Sequence, residues 1–175
     1  MKDFKTFVNE NLLVPRNLEG RKEKLKQMNI RMLSHEVIDG NLHLDESLMD
    51  IDAKFVKLKK INGDLELTGG QWTEIPEWLK DVEIEGHFNC SDNKLKTLKN
   101  CPQKIRGVFS CSYNQLVSLE GCPKNIAGSF NCSYNRLTSL EGCPENIEGI
   151  FWCYNNKVKL KLPDYVKLKG KFKNK

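Results

Sequence analysis

From residue 37 onward, apolar and polar positions recur at a fixed interval that glycine marks. Gly40, Gly63, Gly86, Gly107, Gly128, Gly149 and Gly170 are separated by 23, 23, 21, 21, 21 and 21 residues. Two residues before each glycine stands Ile38, Ile61, Ile84, Ile105, Ile126, Ile147 or Leu168. Two residues after stands Leu42, Leu65, Phe88, Phe109, Phe130, Phe151 or Phe172, and four after, through the sixth coil, Leu44, Leu67, Cys90, Cys111, Cys132 or Cys153. The second and fourth positions are apolar and their neighbours polar, which is the period of a short strand with one buried face. A fixed period of this length is the mark of a stacked solenoid. The pattern predicts about six coils and the start of a seventh, each giving one strand to a parallel sheet of six to seven short strands.

The rest of each unit is equally regular. Asn93, Asn114, Asn135 and Asn156 follow at the seventh position, Leu95, Leu116, Leu137 and Val158 at the ninth, and Leu98, Leu119 and Leu140 at the twelfth. An asparagine repeated in register can bond backbone groups of adjacent coils where the strand turns away. Cys101-Pro102, Cys122-Pro123 and Cys143-Pro144 open the return path. Proline there predicts an extended or polyproline connection on the convex side, not a helix.

The run Phe130 to Leu140 reads F-x-C-x-x-N-x-L-x-x-L, which resembles the leucine-rich repeat consensus L-x-L-x-x-N-x-L-x-x-L. The short unit with a proline in its second half is similar to the bacterial subclass of secreted effectors, whose convex side is extended. The likeness spans residues 37–172 and is strongest over Gly86–Val158. Cysteine at the inner strand position and E-G-C-P in place of a second L-P separate this chain from those effectors. The resemblance implies a leucine-rich repeat solenoid that binds through its exposed strand face.

Residues 1–35 stand outside the repeat. Phe4, Phe7, Val8 and Leu12 predict a short amphipathic helix over Asp3–Leu13, which Val14-Pro15 ends. Asn17 is placed to cap a second, basic helix to about Met28 carrying Leu18 and Leu25. This segment is expected to cover the first coil, since solenoid ends expose apolar core. It has a second reading. M-K-D-F-K-T-F-V-N-E resembles the short leader of internal head proteins of large T-even-like tailed phages, which implies cleavage after Glu10 or Glu19 and a virion location. The chain therefore divides into an N-terminal helical cap or leader (1–35), the solenoid (36–156) and a lysine-rich capping coil (157–175).

Charge follows the same division. Residues 1–35 carry 8 Lys and Arg against 4 Asp and Glu, residues 36–156 carry 12 against 18, and residues 157–175 carry 8 against 1. In the last segment lysine alternates with Val158, Leu160, Leu168 and Phe172, so the apolar face is expected to continue the core while lysines guard an open edge. A basic patch for nucleic acid is the alternative. No apolar run approaches the ~20 residues of a membrane helix. The absence of an export signal in the N-terminal stretch predicts a cytoplasmic protein, in the host cytosol for a phage-encoded chain.

Candidate chemistry is sparse. The seven cysteines form two ladders, Cys90/111/132/153 and Cys101/122/143. One inward sulfur per coil is a line, not the tetrahedron that zinc takes, so they read as reduced core residues. His43 and His87 fall on the exposed strand face two coils apart. No catalytic triad, phosphate loop or cofactor fingerprint is present, which predicts a non-enzymatic protein without cofactor. Trp72 and Trp78 are expected to fill gaps in the irregular second coil.

The exposed face then carries the functional expectation. Its first column is Asn41, Asp64, His87, Val108, Ser129 and Ile150, and its second is His43, Glu66, Asn89, Ser110, Asn131 and Trp152. Ile150 and Trp152 are apolar on this face, with Val108 farther off and Tyr113, Tyr134 and Tyr154 along the rim. Aromatic anchors on a polar surface are what binding hot spots are made of. The expected partner is a protein of unknown identity, with Trp152 and Ile150 packed beneath the C-terminal tail as the alternative.

Overall fold

The computed structural model describes residues 18–174. The helix expected over Asp3–Leu13 and the cleavage position at Glu10 lie outside these residues. The chain opens with helix α1 (Leu18–Leu33), followed by seven coils that contribute two short strands each. The first four coils give β1 (Val37–Ile38) and β2 (Leu42–Leu44), β3 (Lys60–Ile61) and β4 (Leu65–Leu67), β5 (Glu83–Ile84) and β6 (Phe88–Asn89), and β7 (Lys104–Ile105) and β8 (Phe109–Ser110). The last three give β9 (Asn125–Ile126) and β10 (Phe130–Asn131), β11 (Asn146–Ile147) and β12 (Phe151–Trp152), and β13 (Lys167–Leu168) and β14 (Phe172–Lys173).

The expected parallel sheet is the even-numbered one, which runs β14-β12-β10-β8-β6-β4-β2. A second parallel sheet, β1-β3-β5-β7-β9-β11-β13, lies before the marker glycines. The isoleucine column that served only to mark the period is itself a strand column. A two-residue strand has one inward side chain and so shows no alternation.

Register is kept residue on residue. Phe130 pairs with Phe109 on one side and Phe151 on the other, and Ile126 with Ile105 and Ile147. The phenylalanine rings form one continuous column, with centroids 5.1–5.4 Å apart from Phe88 to Phe172. With the isoleucines, the leucines and both cysteine ladders they make a single buried core. Glycine marks the bend between the two sheets because successive coils touch there. The Gly107 N–H donates to Gly86 O and the Gly149 N–H to Gly128 O, each at 2.9 Å, and a Cβ at Gly128 would lie 2.5 Å from Gly107 O.

The return path is extended in coils 3 to 5, as the Cys-Pro pairs predict, whereas the longer first two coils carry 3₁₀ turns at Glu46–Leu48, Ala53–Phe55 and Glu77–Leu79. Trp72 is fully buried in the second coil, with its indole N–H on Thr68 O at 2.8 Å, and Trp78 is half-buried there.

α1 runs five residues beyond the expected end at Met28. Its C-terminal Leu33 enters the core, and Leu33 O accepts from Lys57 N at 2.8 Å, so the helix docks on the first coil. At the other end Leu160 is buried and Leu168 and Phe172 are half-buried, but Val158 is 49% exposed. On this return path the coil-to-coil bond is kept as far as Lys157, whose N–H donates to Leu137 O at 3.1 Å, and beyond it Leu160 and not Val158 is the inward residue. Among the described residues no helix is long and apolar enough to cross a membrane.

Candidate functional site: the exposed strand face

The even-numbered sheet has one face in the core and the other open, and the backbone at its entry is already saturated. The first-column side chains accept from the next coil's backbone: Asn41 Oδ1 from Asp64 N at 2.8 Å, Asp64 Oδ1 from His87 N at 2.7 Å, and His87 Nδ1 from Val108 N at 2.7 Å. Ser129 Oγ repeats the pattern on Ile150 N at 2.9 Å. Because His87 Nδ1 accepts an amide proton, a neutral ring there carries its proton on Nε2. These column residues therefore knit coils together, and what they leave for a ligand is their outer atoms.

The two ends of the face differ. Toward the N-terminus it is acidic and polar: Asp64, Glu66, His87, Asn89, Ser91, Val108 and Ser110 line a shallow groove of about 410 Å³. His43 Nδ1 lies 2.9 Å from Glu66 Oε2, so these two are a cross-coil pair and not a free ligand set. Asn89 and Asn131 turn their amide oxygens back onto Ser91 N and Ser133 N at 3.1 and 3.0 Å. Ser91, Ser110 and Ser112 share hydroxyl bonds of 2.7–3.2 Å. Toward the C-terminus the face turns apolar and cationic. Trp152 and Ile150 are half-buried on it, and Lys173 Nζ stands 6.0 Å from the Trp152 ring. The tail continues the sheet as β14, with Lys173 in register beside Trp152 and its ammonium over that ring.

Along coils 3 to 6 the rim is built by a left-handed residue at the sixth position. Asp92, Tyr113, Tyr134 and Asn155 have φ of 55°, 53°, 56° and 52°. Asp and Asn enter this conformation readily, whereas a bulky side chain costs about 1–2 kcal/mol there. Tyr113 and Tyr134 are nonetheless 49% and 42% exposed and stack at 4.1 Å between centroids with 9° between planes. Such a stack returns about 0.5–1.5 kcal/mol. A hydrogen bond to Tyr134, then partial burial and the charges of Tyr134 and Asp92, hold the Tyr113 phenol above its usual pKa. Tyr154 does not join this pair. It sits one position earlier, in the column of Ser91, Ser112 and Ser133, and its N–H donates to Ser133 Oγ at 3.2 Å. The offset was visible in the repeat count, as was the Asp and Asn preference that marks a left-handed site.

The cysteines stay in the core. All seven are free thiols, and burial raises each pKa, with Cys153 pushed up to about 12. Cys90 and Cys111 donate to Ser110 O and Asn131 O of the following coil at 3.5 Å. Among the described residues no group of His, Cys, Asp and Glu could hold a metal ion. The opposite, odd-numbered sheet presents a charge ladder: Glu85 bonds Lys60 and Arg106 at 2.8 Å each, and Glu83 bonds Lys104. Opposite charges alternate there along the stack, which offsets the repulsion an in-register column of like charges would bring. Comparison with protein-family models, with curated proteins and with solved structures finds no match for this chain.

Proposed function

We propose that this protein is a non-enzymatic, leucine-rich-repeat-like binding module that engages another protein through the exposed face of its even-numbered sheet. The observation that carries the reading is Trp152 with Ile150. A large ring stands half-exposed in a column otherwise filled by small or polar side chains such as Ser110 and Asn131, on a sheet whose core is complete without it. Aromatic anchors ringed by polar groups are the usual centres of protein interfaces. The asparagine ladder supports the leucine-rich repeat kinship, since its amides serve the turn that the consensus asparagine implies. The leader-like first residues support a phage origin.

Affinity capture from expressing bacteria tests this, with wild type compared against Trp152→Ala and Ile150→Asp. One protein recovered in stoichiometric amount and lost in both variants, with unchanged circular dichroism, is the expected result. Capture that survives both substitutions overturns it. A second reading, nucleic-acid binding, is favoured by the exposed lysines Lys167, Lys169, Lys171 and Lys173 of the last coil. It requires affinity that falls steeply with salt and ignores Trp152.

A further inference from the structure

The rim of the strand face holds residues that the fold does not ask for. The sixth position needs a left-handed residue, and coils 3 and 6 supply Asp92 and Asn155, which suit it. Coils 4 and 5 supply tyrosines instead, and both rings are exposed. Consecutive coils are stacked in register here, with Tyr113 N on Ser133 O at 3.1 Å and Asn114 N on Tyr134 O at 3.2 Å. The ring stack therefore runs along the solenoid axis. Each ring covers one face of the other, and the outer face of Tyr113 is turned toward the preceding coil, where the same position is Asp92.

Asp92 is exposed, and among the described residues its carboxylate has no hydrogen bond or ion pair. Its charge is close enough to act on the Tyr113 phenol. Among the described residues no lysine or arginine of the chain lies over the Tyr113 ring; the cation–ring pairs there are Lys54 with Phe55 and Lys173 with Trp152. An aromatic face with an open carboxylate beside it is a seat for a planar cation, which stacks on the ring while its edge bonds the carboxylate. The groove of about 410 Å³ begins one residue away, at Ser91, and carries Asp64 and Glu66 along its floor. An extended chain lying in that groove would bring a cationic side chain to the rim.

We propose that Tyr113, its stacking partner Tyr134 and Asp92 form an arginine seat that reads an extended basic segment of a partner protein. The proposal rests on the protein-binding reading but uses different residues from Trp152. Charge selects the occupant: the carboxylates of Asp64, Glu66 and Asp92 attract a basic peptide and repel a nucleic-acid backbone. The guanidinium is preferred over an ammonium because its plane matches the ring and its fork matches the carboxylate.

The test is a titration followed through the tyrosine ring signals by NMR. The probes are a Gly-Ser peptide bearing arginines, its lysine counterpart and a thymidine oligonucleotide. The arginine peptide is expected to shift Tyr113 and Tyr134 saturably and to bind about two- to five-fold tighter than the lysine peptide. Asp92→Asn keeps a residue suited to the left-handed position and is expected to weaken the arginine peptide and erase its advantage. Tyr113→Asn with Tyr134→Asn is expected to abolish binding while the melting midpoint stays at or above that of wild type, because asparagine suits the backbone there. Equal binding of both peptides to wild type overturns the seat, as does binding that persists in the tyrosine double variant. So does an oligonucleotide that occupies the same rings. Trp152→Ala separates the two readings. If it leaves natural capture intact while the arginine peptide binds, the Trp152-centred interface falls and the seat stands. If capture is lost with Trp152 but the peptide never binds, the seat falls alone.

Discussion

Replacing Asn135 by alanine should cost more stability than any comparable exposed substitution, and the structure says where the loss arises. Asn135 is buried between two turns. Its Oδ1 accepts from Leu116 N at 3.0 Å, and its Nδ2 donates to the carbonyls of Cys111, Cys132 and Ser133 at 3.0, 3.1 and 3.2 Å. After truncation the carbonyls keep other donors: Asn114 reaches Cys111 O, Asn156 reaches Cys132 O, and Tyr113 N reaches Ser133 O. Leu116 N keeps none among the described residues. One orphaned buried donor costs about 1–3 kcal/mol, and the weakened carbonyl contacts add about 0.5–1.5 kcal/mol. The expected loss is therefore about 2–4 kcal/mol, a large part of the 5–15 kcal/mol typical of a domain. Urea unfolding followed by circular dichroism measures it, with Asn156→Ala as the comparison because Asn156 is only half-buried and water can serve Leu137 N in its absence. Asn135→Asp sharpens the test. The carboxylate can still accept from Leu116 N but faces three carbonyl oxygens, so its pKa should rise, its cost should be greatest at neutral pH, and stability should recover as pH falls. A loss below about 1 kcal/mol for Asn135→Ala, or one no larger than that of Asn156→Ala, would refute the view that the asparagine ladder binds coil to coil.

Three further outcomes are expected. Gly128→Ala should destabilise by about 1–3 kcal/mol in the same urea assay, because its Cβ would meet only backbone, 2.5 Å from Gly107 O and 2.8 Å from Val108 N, so that a coil must move. A thiol reagent at mildly alkaline pH should label none of the seven cysteines quickly in the folded protein and all seven in denaturant, since burial holds every thiol protonated. The Lys104 hydrogen bond and charge lower the Glu83 pKa, and the hydrogen bond from Lys60 with the charge of Arg106 lowers that of Glu85, both from an ordinary 4.5. Their contribution is therefore present above that value and lost as pH falls through and below it. The urea midpoint should drop on acidification through this range, and at neutral pH the contribution should shrink with added salt.

Much of this architecture was legible because the repeat states it many times. The phenylalanine column, the alternation with cysteine and the asparagine ladder could each be read from spacing alone, and the core holds them where the period places them. The odd-numbered sheet was not legible as a sheet, since Ile105 and Ile126 each supply a single inward side chain and a lone apolar residue has no period. Val158 misled because it keeps the leucine position in count, one residue after the coil-to-coil bond at Lys157, yet is exposed while Leu160 takes the inward place. The face columns were placed correctly, but their chemistry was hidden. Asp64 and His87 look like free polar groups in sequence, yet each spends an acceptor atom on the next coil's backbone. Tyr154 was grouped with Tyr113 and Tyr134 by residue type, whereas the one-residue offset puts it in the serine column.

The constant register along coils 3 to 6 also makes this molecule extensible. Residues 107–127 and 128–148 are nearly the same unit, and each presents to its neighbour the surface it receives: phenylalanine to phenylalanine, asparagine amide to turn, glycine to glycine. A duplicated unit inserted between them would meet compatible neighbours on both sides and lengthen the solenoid by one rung, ~4.8 Å, without a new kind of contact. The span of the molecule is thus a copy number, and a descendant could match a longer or shorter partner by gaining or losing whole coils while every remaining junction stayed as it is.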